Sequence, residues 1–86
     1  MSRLELFGTQ SCPYTAEMRA DLEWQGREFV EYDVEQDATA RGRLLDLTAG
    51  NRTVPVLVED DRVLQVGWQG RVCYIASGPA PRSSDL

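Results

Sequence analysis

The chain has 86 residues and a formal net charge of −5, and all nine of its basic residues are arginine because it contains neither lysine nor histidine. This length fits one domain with a modest core. Without histidine, sites that need an imidazole base are excluded, and two cysteines alone cannot complete a tetrahedral zinc site. The acidic balance also argues against a nucleic-acid partner.

The amino-terminal segment gives an expectation about location. MSRLELF lacks the apolar core of a secretory signal, and no apolar run approaches the ~20 residues that cross a bilayer. We therefore expect a cytoplasmic monomer with no membrane partner, in a compartment where thiols stay reduced. Two cysteines in such a chain favour redox chemistry over a structural disulfide.

The first half of the chain predicts two strand–helix pairs. Residues 3–7 alternate as a strand does, and PYTAEMRADLEWQG then predicts a helix with Tyr14, Met18 and Leu22 on its inner face. REFVEYDV predicts the second strand, and Asp37 can cap a helix through ATARGRLLDLTAG. The residues expected inward on that helix are Ala40, Leu44 and Leu47.

The second half predicts a hairpin and a closing helix. VPVLVEDDRVLQV holds two apolar runs separated by residues 59–62, and WQGRVCYIAS is long enough for a short helix over 68–77. The order β-α-β-α-β-β-α predicts an α/β three-layer sandwich with a mixed four-stranded sheet. We expect one domain over residues 1–77 and a fraying tail over 78–86.

The stretch SCPYT places a cysteine at the start of the first helix. Pro13 suits the first helical position, which makes Cys12 the N-cap. Free backbone N–H groups and the helix dipole favour a thiolate there and can lower a cysteine pKa from ~8.5 to roughly 3.5–7.5. Thr15 lies one turn on and could donate a further hydrogen bond to the sulfur. The alternative is that Cys12 is a small buried apolar residue.

A proline within an apolar run forms the second feature. In TVP, residues 53–55, the proline weakens a strand unless it opens the strand or follows a cis peptide bond. We predict that Pro55 does both.

Together these two motifs resemble the glutaredoxin branch of the thioredoxin superfamily. The resemblance rests on Cys-Pro-Tyr-X after the first strand and on LTAGNRTVPVLV, and it covers residues 1–77. It implies a thioredoxin-like fold with a cis peptide before Pro55, beside the Cys12 sulfur. It also implies that the Val54 backbone is free to pair with glutathione or a peptide as an added strand. Tyr14 and Thr53 match positions that line the glutathione groove, although Tyr14 could instead pack on Met18 and Leu22.

The sequence departs from the family at three positions. Thr15 replaces the second cysteine of the dithiol motif, which resembles the monothiol form. Thr9 and Gln10 stand where the family usually has a lysine that holds a glutathione carboxylate. The charge could be supplied by an arginine, although each of these is more typical of a solvated surface: Arg41, Arg43 and Arg52.

The third departure is the loop VGWQGR, residues 66–71. In the family this loop holds the glutamyl end of glutathione with an acidic group, which is absent here. The segment Gly67, Trp68 and Gln69 is similar to that of redoxins that serve ribonucleotide reductase. With C-P-Y-T it also resembles a bacterial glutaredoxin-like group in which selenocysteine can occupy the Cys12 position. Trp68 could be a ligand platform or a loop anchor.

Cys73 is the other sulfur of the chain. It could fill the core or resolve a mixed disulfide on Cys12. On a closing helix, at ~1.5 Å per residue, Cys73 would already have moved beyond the ~7 Å between Cα atoms that a disulfide allows. We therefore expect Cys73 to be buried and an external thiol to resolve the mixed disulfide.

These features predict a thiol–disulfide oxidoreductase in which the Cys12 thiolate reduces glutathione mixed disulfides or protein disulfides, with glutathione as co-substrate. The alternatives are a glutathione-independent redoxin for one protein partner and a monothiol glutaredoxin that binds an iron–sulfur cluster. The predicted catalytic residues are Cys12, Pro13, Thr15 and Pro55. The predicted residues for binding glutathione are Tyr14, Thr53, Val54, Gly67, Trp68 and Gln69.

Overall fold

The computed structural model describes residues 3–75, which form two helices and six strands. Within this range neither helix is long and apolar enough to cross a membrane. The elements in chain order are β1 (Leu4–Gly8), α1 (Pro13–Trp24), β2 (Val30–Asp33), α2 (Ala38–Leu47), β3 (Thr53–Val54), β4 (Val56–Glu59), β5 (Arg62–Val66) and β6 (Cys73–Tyr74).

Four strands form one mixed sheet in the order β2-β1-β4-β5. β1 and β2 are parallel because α1 carries the chain back between them, whereas β4 runs antiparallel to both β1 and β5. Asp60 and Asp61 join β4 to β5 with φ angles of 49° and 66°, the left-handed backbone of a two-residue hairpin turn. The predicted hairpin is confirmed, with a shorter turn than expected.

The two helices cover opposite faces of this sheet. Strand alternation sends Leu4 and Leu6 toward α1 and Phe7 toward α2. The α1-side cluster is composed of Leu4, Leu6, Met18, Leu22 and Leu57. The α2-side cluster is composed of Phe7, Cys12, Val34, Ala40, Leu44, Val54, Val56, Val58 and Ile75. The predicted α/β sandwich with a mixed four-stranded sheet is confirmed.

The inner faces of the helices follow the prediction with one correction. On α2, Ala40 and Leu44 are buried, and the Asp37 carboxylate caps the helix by accepting from the Ala40 N–H at 3.0 Å. On α1, the buried position in the first turn is Thr15, whereas Tyr14 is half-buried against the α2-side cluster. Tyr14 therefore does not pack on Met18 and Leu22, because its position lies one residue before the stripe that faces the sheet.

The predicted closing helix over 68–77 is wrong as far as the described residues reach. Gln69 and Gly70 have φ angles of 53° and 79°, which a right-handed helix cannot contain, and they form a tight turn. After the turn, Cys73 and Tyr74 form β6, which pairs antiparallel with β3 in a separate two-stranded sheet. The last two residues of the predicted helix and the predicted tail over 78–86 lie outside the described residues.

Candidate active site

Cys12 lies where α1 begins, four residues beyond the end of β1. Its backbone is extended, with φ −88° and ψ 114°, and Pro13 opens the helix as predicted. The first turn of α1 contains no acidic residue that would oppose a negative charge on the sulfur. Only 2% of Cys12 is exposed, which places its sulfur inside the α2-side cluster.

Cys73 is bonded to Cys12. The two residues are 61 positions apart in sequence, yet their Cα atoms lie 6.0 Å apart, and the sulfurs form a disulfide. The expectation that Cys73 would be beyond reach is therefore wrong. The cause is the turn at Gln69 and Gly70, which reverses the chain and brings β6 back to the start of α1, where a helix would have carried Cys73 away.

Pro55 separates β3 from β4. The Val54–Pro55 peptide bond is cis, as predicted, and Pro55 is fully buried. Its carbonyl accepts a hydrogen bond from the Gly67 N–H at 2.7 Å, which fixes the start of the 66–71 loop next to the proline.

The backbone of β3 is occupied by the chain itself. Val54 pairs with Cys73, and Thr53 pairs with Tyr74. The ladder continues with a hydrogen bond of 2.9 Å from the Ile75 N–H to the Arg52 carbonyl. The expectation that Val54 is free to pair with a ligand is therefore wrong for this disulfide form.

Thr15 lies in the first turn of α1, on the side that faces the sheet and away from solvent. Its side chain is fully buried, and its hydroxyl has no hydrogen-bond partner among the described residues. A Cβ added to Gly8 would overlap the Thr15 side chain, so the glycine lets α1 approach the end of β1. The predicted hydrogen bond from Thr15 to the sulfur is not made in the disulfide, and its formation with a thiolate stays a prediction.

The loop that contains Gly67, Trp68 and Gln69 is a small hairpin. Backbone hydrogen bonds in both directions join Trp68 and Arg71, at 2.8 and 2.9 Å, with Gln69 exposed at the turn. The Trp68 indole packs against the α1-side cluster and donates to the Glu17 carboxylate at 3.0 Å. Trp68 therefore anchors the loop on α1, on the other side of the sheet from the cluster that holds Cys12.

Two of the three arginines that could have replaced the missing lysine have partners elsewhere in the fold. Arg41 donates to the Val34 carbonyl at 2.9 Å, and Arg43 forms ion pairs with Glu5 and Asp61. With β6 covering Val54, the backbone of β3 is not open to glutathione while the disulfide is closed. A thiol compound that pairs with the Val54 backbone requires β6 to move away first.

A second buried polar region lies on the α2 side of β1. Glu5 is 2% exposed, and both of its carboxylate oxygens accept hydrogen bonds from the Arg43 guanidinium, at 2.6 and 3.0 Å. Tyr32 donates a third hydrogen bond at 2.9 Å, and Asp61 pairs with Arg43 at 2.7 Å. We call these four residues the Glu5 cluster.

The Glu5 cluster shifts the pKa values of its own charged groups but contains no thiol. Arg43 holds the pKa of the Glu5 carboxyl below its ordinary value, and Glu5 in turn raises the pKa of Arg43. A cavity of about 360 Å³ lies beside it and is lined only by charged residues. Because ligand pockets are mostly apolar and this one contains no thiol, we place the candidate active site at the disulfide.

Comparisons with known proteins show the family of the chain. The glutaredoxin family model matches residues 4–64. A probable glutaredoxin of Synechocystis sp. (strain ATCC 27184 / PCC 6803 / Kazusa) is 31% identical over 61 residues, which cover 71% of this chain and 56% of the relative. The chain thus spans little more than half of that relative's length.

Solved structures show the same fold. The thioredoxin-like protein BC3987 aligns with a TM-score of 0.66 and 29% identity, over 72% of this chain and 84% of that one. The glutaredoxin grx-1 from Archaeoglobus fulgidus aligns with a TM-score of 0.68 and 18% identity, over 80% of this chain and 78% of that one. The chain belongs to the glutaredoxin family of the thioredoxin superfamily.

Sequence reasoning missed the pairing of β3 with β6. The signal was present, because RVCYI contains β-branched and aromatic residues that favour strands and follows a Gln-Gly pair typical of a tight turn. The prediction of a helix rested on the length of WQGRVCYIAS, which is also compatible with a turn and a short strand. The partner of Cys12 was missed as a consequence.

Proposed function

We propose that this protein is a thiol–disulfide oxidoreductase that works with two thiols, Cys12 as nucleophile and Cys73 as resolving cysteine. The observation that carries the proposal is the 6.0 Å separation of their Cα atoms across the β3–β6 pair. This separation lies within the range of about 4.4–6.8 Å that disulfides use. Cys73 takes the role that the second cysteine of a dithiol motif would have, since Thr15 cannot.

The proposed reduction of a substrate has two exchanges. The Cys12 thiolate attacks one sulfur of the substrate disulfide, forming a mixed disulfide and releasing the other substrate sulfur as a thiolate. The Cys73 thiolate then attacks the Cys12 sulfur and releases the second substrate sulfur. The substrate gains two electrons, and the protein ends as the Cys12–Cys73 disulfide.

Recovery of the reduced protein requires two external thiols, for which we propose glutathione. Cys12 is almost completely buried, whereas Cys73 is half-buried, so the incoming thiolate reaches Cys73 more easily. Cys12 is also the better leaving group, because its thiolate would be stabilised at the start of α1. We therefore expect the glutathione adduct to form on Cys73 and to be resolved by a second glutathione.

Two features favour polypeptide disulfides over glutathione mixed disulfides as substrates. The family's lysine is absent, and Arg41 and Arg43 are engaged elsewhere in the fold. The 66–71 loop is a closed hairpin anchored on α1. Together these leave few groups for the carboxylates of glutathione, whereas a strand of polypeptide needs only the backbone of β3. We propose a monomer that acts in the cytoplasm, where glutathione is reduced.

The test is a turnover assay on a glutathione mixed disulfide and on a protein disulfide, run in parallel with glutathione and with thioredoxin reductase. We expect turnover of the protein disulfide with glutathione, and loss of this turnover in Cys12→Ser. Cys73→Ser is the matched control, since it keeps the nucleophile and loses only the resolving thiol. Turnover that is unchanged in Cys73→Ser would overturn the two-thiol mechanism. A stable iron–sulfur chromophore after anaerobic reconstitution, without turnover, would favour the cluster-binding alternative.

A further inference from the structure

The strand β6 occupies the place that a substrate strand would take. β3 lies directly before Pro55, at the nucleophile, and its strand partner among residues 3–75 is β6. Cys73 stands opposite Val54 in this pair, with its sulfur on Cys12. A sulfur that Cys12 attacks has to reach the same point, so a substrate cysteine has to stand where Cys73 stands.

The two residues after Cys73 show what this position accepts. Tyr74 points to solvent and is 77% exposed, as strand alternation requires. Ile75 is 5% exposed and belongs to the α2-side cluster, together with Val54 and Leu44. In a strand bound at this place, the side chain of the first residue after the cysteine would therefore face solvent, and that of the second residue would occupy an apolar site.

We propose that β6 is an internal copy of the substrate strand, so that the substrates are extended polypeptide disulfides with an aliphatic residue two positions after the cysteine. The substrate strand runs antiparallel to β3, with its cysteine opposite Val54 and its aliphatic residue in the site of Ile75. This proposal rests on the proposed function and adds the class of polypeptide on which the site acts.

The proposal couples strand exchange to disulfide exchange. In the reduced protein no disulfide holds Cys73. Among residues 3–75, the contacts that keep β6 on β3 are the backbone pairs, the Ile75 side chain and the packing of Cys73 against the α2-side cluster. A substrate strand replaces β6, and Cys12 attacks its cysteine sulfur and releases the other sulfur of that disulfide. When Cys73 then attacks Cys12, β6 returns to β3 and the reduced substrate cysteine leaves with its strand.

The test uses Cys73→Ser and short peptides whose cysteine carries 5-thio-2-nitrobenzoate in a mixed disulfide. The first peptide copies residues 71–75, Arg-Val-Cys-Tyr-Ile, with blocked ends. In the second peptide the isoleucine is replaced by aspartate, and in the third the tyrosine is replaced by serine. Release of the coloured thiolate gives the rate at which Cys12 attacks each peptide. This rate is then divided by the rate at which the same peptide reacts with free dithiothreitol.

We expect the aspartate peptide to react more slowly than the copy by a factor of about ten or more, since its charged side chain cannot enter the apolar site of Ile75. The serine peptide should react within about twofold of the copy, because that position faces solvent. Cys73→Ala, measured in the same way, shows whether the result depends on the serine side chain.

The possible failures separate the two proposals. Equal rates for the copy and the aspartate peptide, in both Cys73 variants, overturn the substrate class and leave the oxidoreductase intact. A slower rate for the serine peptide than for the aspartate peptide also overturns it, since the exposed position would then be the selective one. If no peptide reacts faster with the protein than with free thiol, the proposed function itself is contradicted.

Discussion

Two regions of this molecule bury polar groups, and they differ in how those groups are satisfied. In the Glu5 cluster every charge has a partner, and the Glu5 carboxylate accepts three hydrogen bonds. At the disulfide the Thr15 hydroxyl has no partner among residues 3–75, and β6 is a strand of only two residues. The Glu5 cluster has its hydrogen bonds satisfied in this one conformation. The disulfide region holds an unpaired hydroxyl and a short strand, which can take other partners when the disulfide opens. The following changes test this difference.

The largest expected effect is the loss of exchange when the Cys12 sulfur is removed. Cys12→Ser should have no detectable turnover and should fold normally, because serine is a favoured N-cap residue. Turnover and thermal unfolding of the reduced proteins are the two measurements. Turnover by Cys12→Ser would show that the disulfide region is not the active site.

Breaking the Glu5 cluster should cost stability and leave the thiol chemistry intact. Arg43→Met removes the guanidinium that pairs with Glu5 and leaves a buried carboxylate with fewer partners. The cost should be below the roughly 3–5 kcal/mol of a fully buried pair, because 36% of the Arg43 side chain is exposed to solvent. The free energy of unfolding in urea measures this loss. The control is the same substitution in a Glu5→Gln background, where the loss should be smaller.

If Arg43→Met lowers stability equally in both backgrounds, the guanidinium acts through its packing over the Phe7 ring, where it lies 5.5 Å from the ring centre, and not through Glu5.

The contact between Gly8 and Thr15 joins the sheet to the start of α1. Gly8→Ala places a methyl group against the buried Thr15 side chain and should cost about 1–3 kcal/mol. Gly42→Ala is the matched control, because Gly42 lies within α2 with open space around it. That substitution should stabilise the helix by roughly 0.5–1 kcal/mol. Equal effects of the two substitutions would contradict the close approach at Gly8.

The Glu5 carboxylate should make the fold sensitive to acid. Arg43 holds the pKa of Glu5 below the ordinary glutamate value of 4.5 in the folded protein, although burial acts in the opposite direction. The folded state therefore binds fewer protons than the unfolded state. This stabilising contribution is complete above the unfolded pKa and is lost as the pH falls through the folded pKa.

We expect the difference in the free energy of unfolding between wild type and Glu5→Gln to shrink as the pH is lowered from neutral to about pH 3. Urea unfolding at a series of pH values measures it. A difference that stays constant would show that Glu5 does not carry the acid sensitivity.

The smallest expected effect on stability is at Thr15. Thr15→Val keeps the shape and removes a hydroxyl without a partner, so its stability should lie within about 1 kcal/mol of wild type.

If the hydroxyl donates to the reduced Cys12 thiolate, Thr15→Val should raise the pKa of Cys12 and Thr15→Ser should not. Alkylation by iodoacetamide as a function of pH, in the Cys73→Ser background, measures this pKa. We predict a midpoint below neutral pH in that background, and identical midpoints for all three proteins would remove Thr15 from the mechanism.

The sequence predicted what depends on local patterns. The cap at Asp37, the hairpin between β4 and β5, the cis bond before Pro55 and the start of α1 at Pro13 each follow from a few adjacent residues, and the structure confirms them. The partner of Cys12 could not be found in this way, because it lies 61 positions away. That pairing depends on the turn at residues 69–70, which the predicted helix over 68–77 overlooked.

The central claim is that Cys12 and Cys73 act as a pair, and the most direct measurement is mass spectrometry of the reduced protein after reaction with one equivalent of a polypeptide disulfide. After alkylation and tryptic digestion without reductant, the account predicts that the peptides 4–19 and 72–82 are linked by the Cys12–Cys73 disulfide, with the substrate cysteines reduced. A digest in which Cys73 is alkylated while Cys12 remains joined to the substrate would contradict the account.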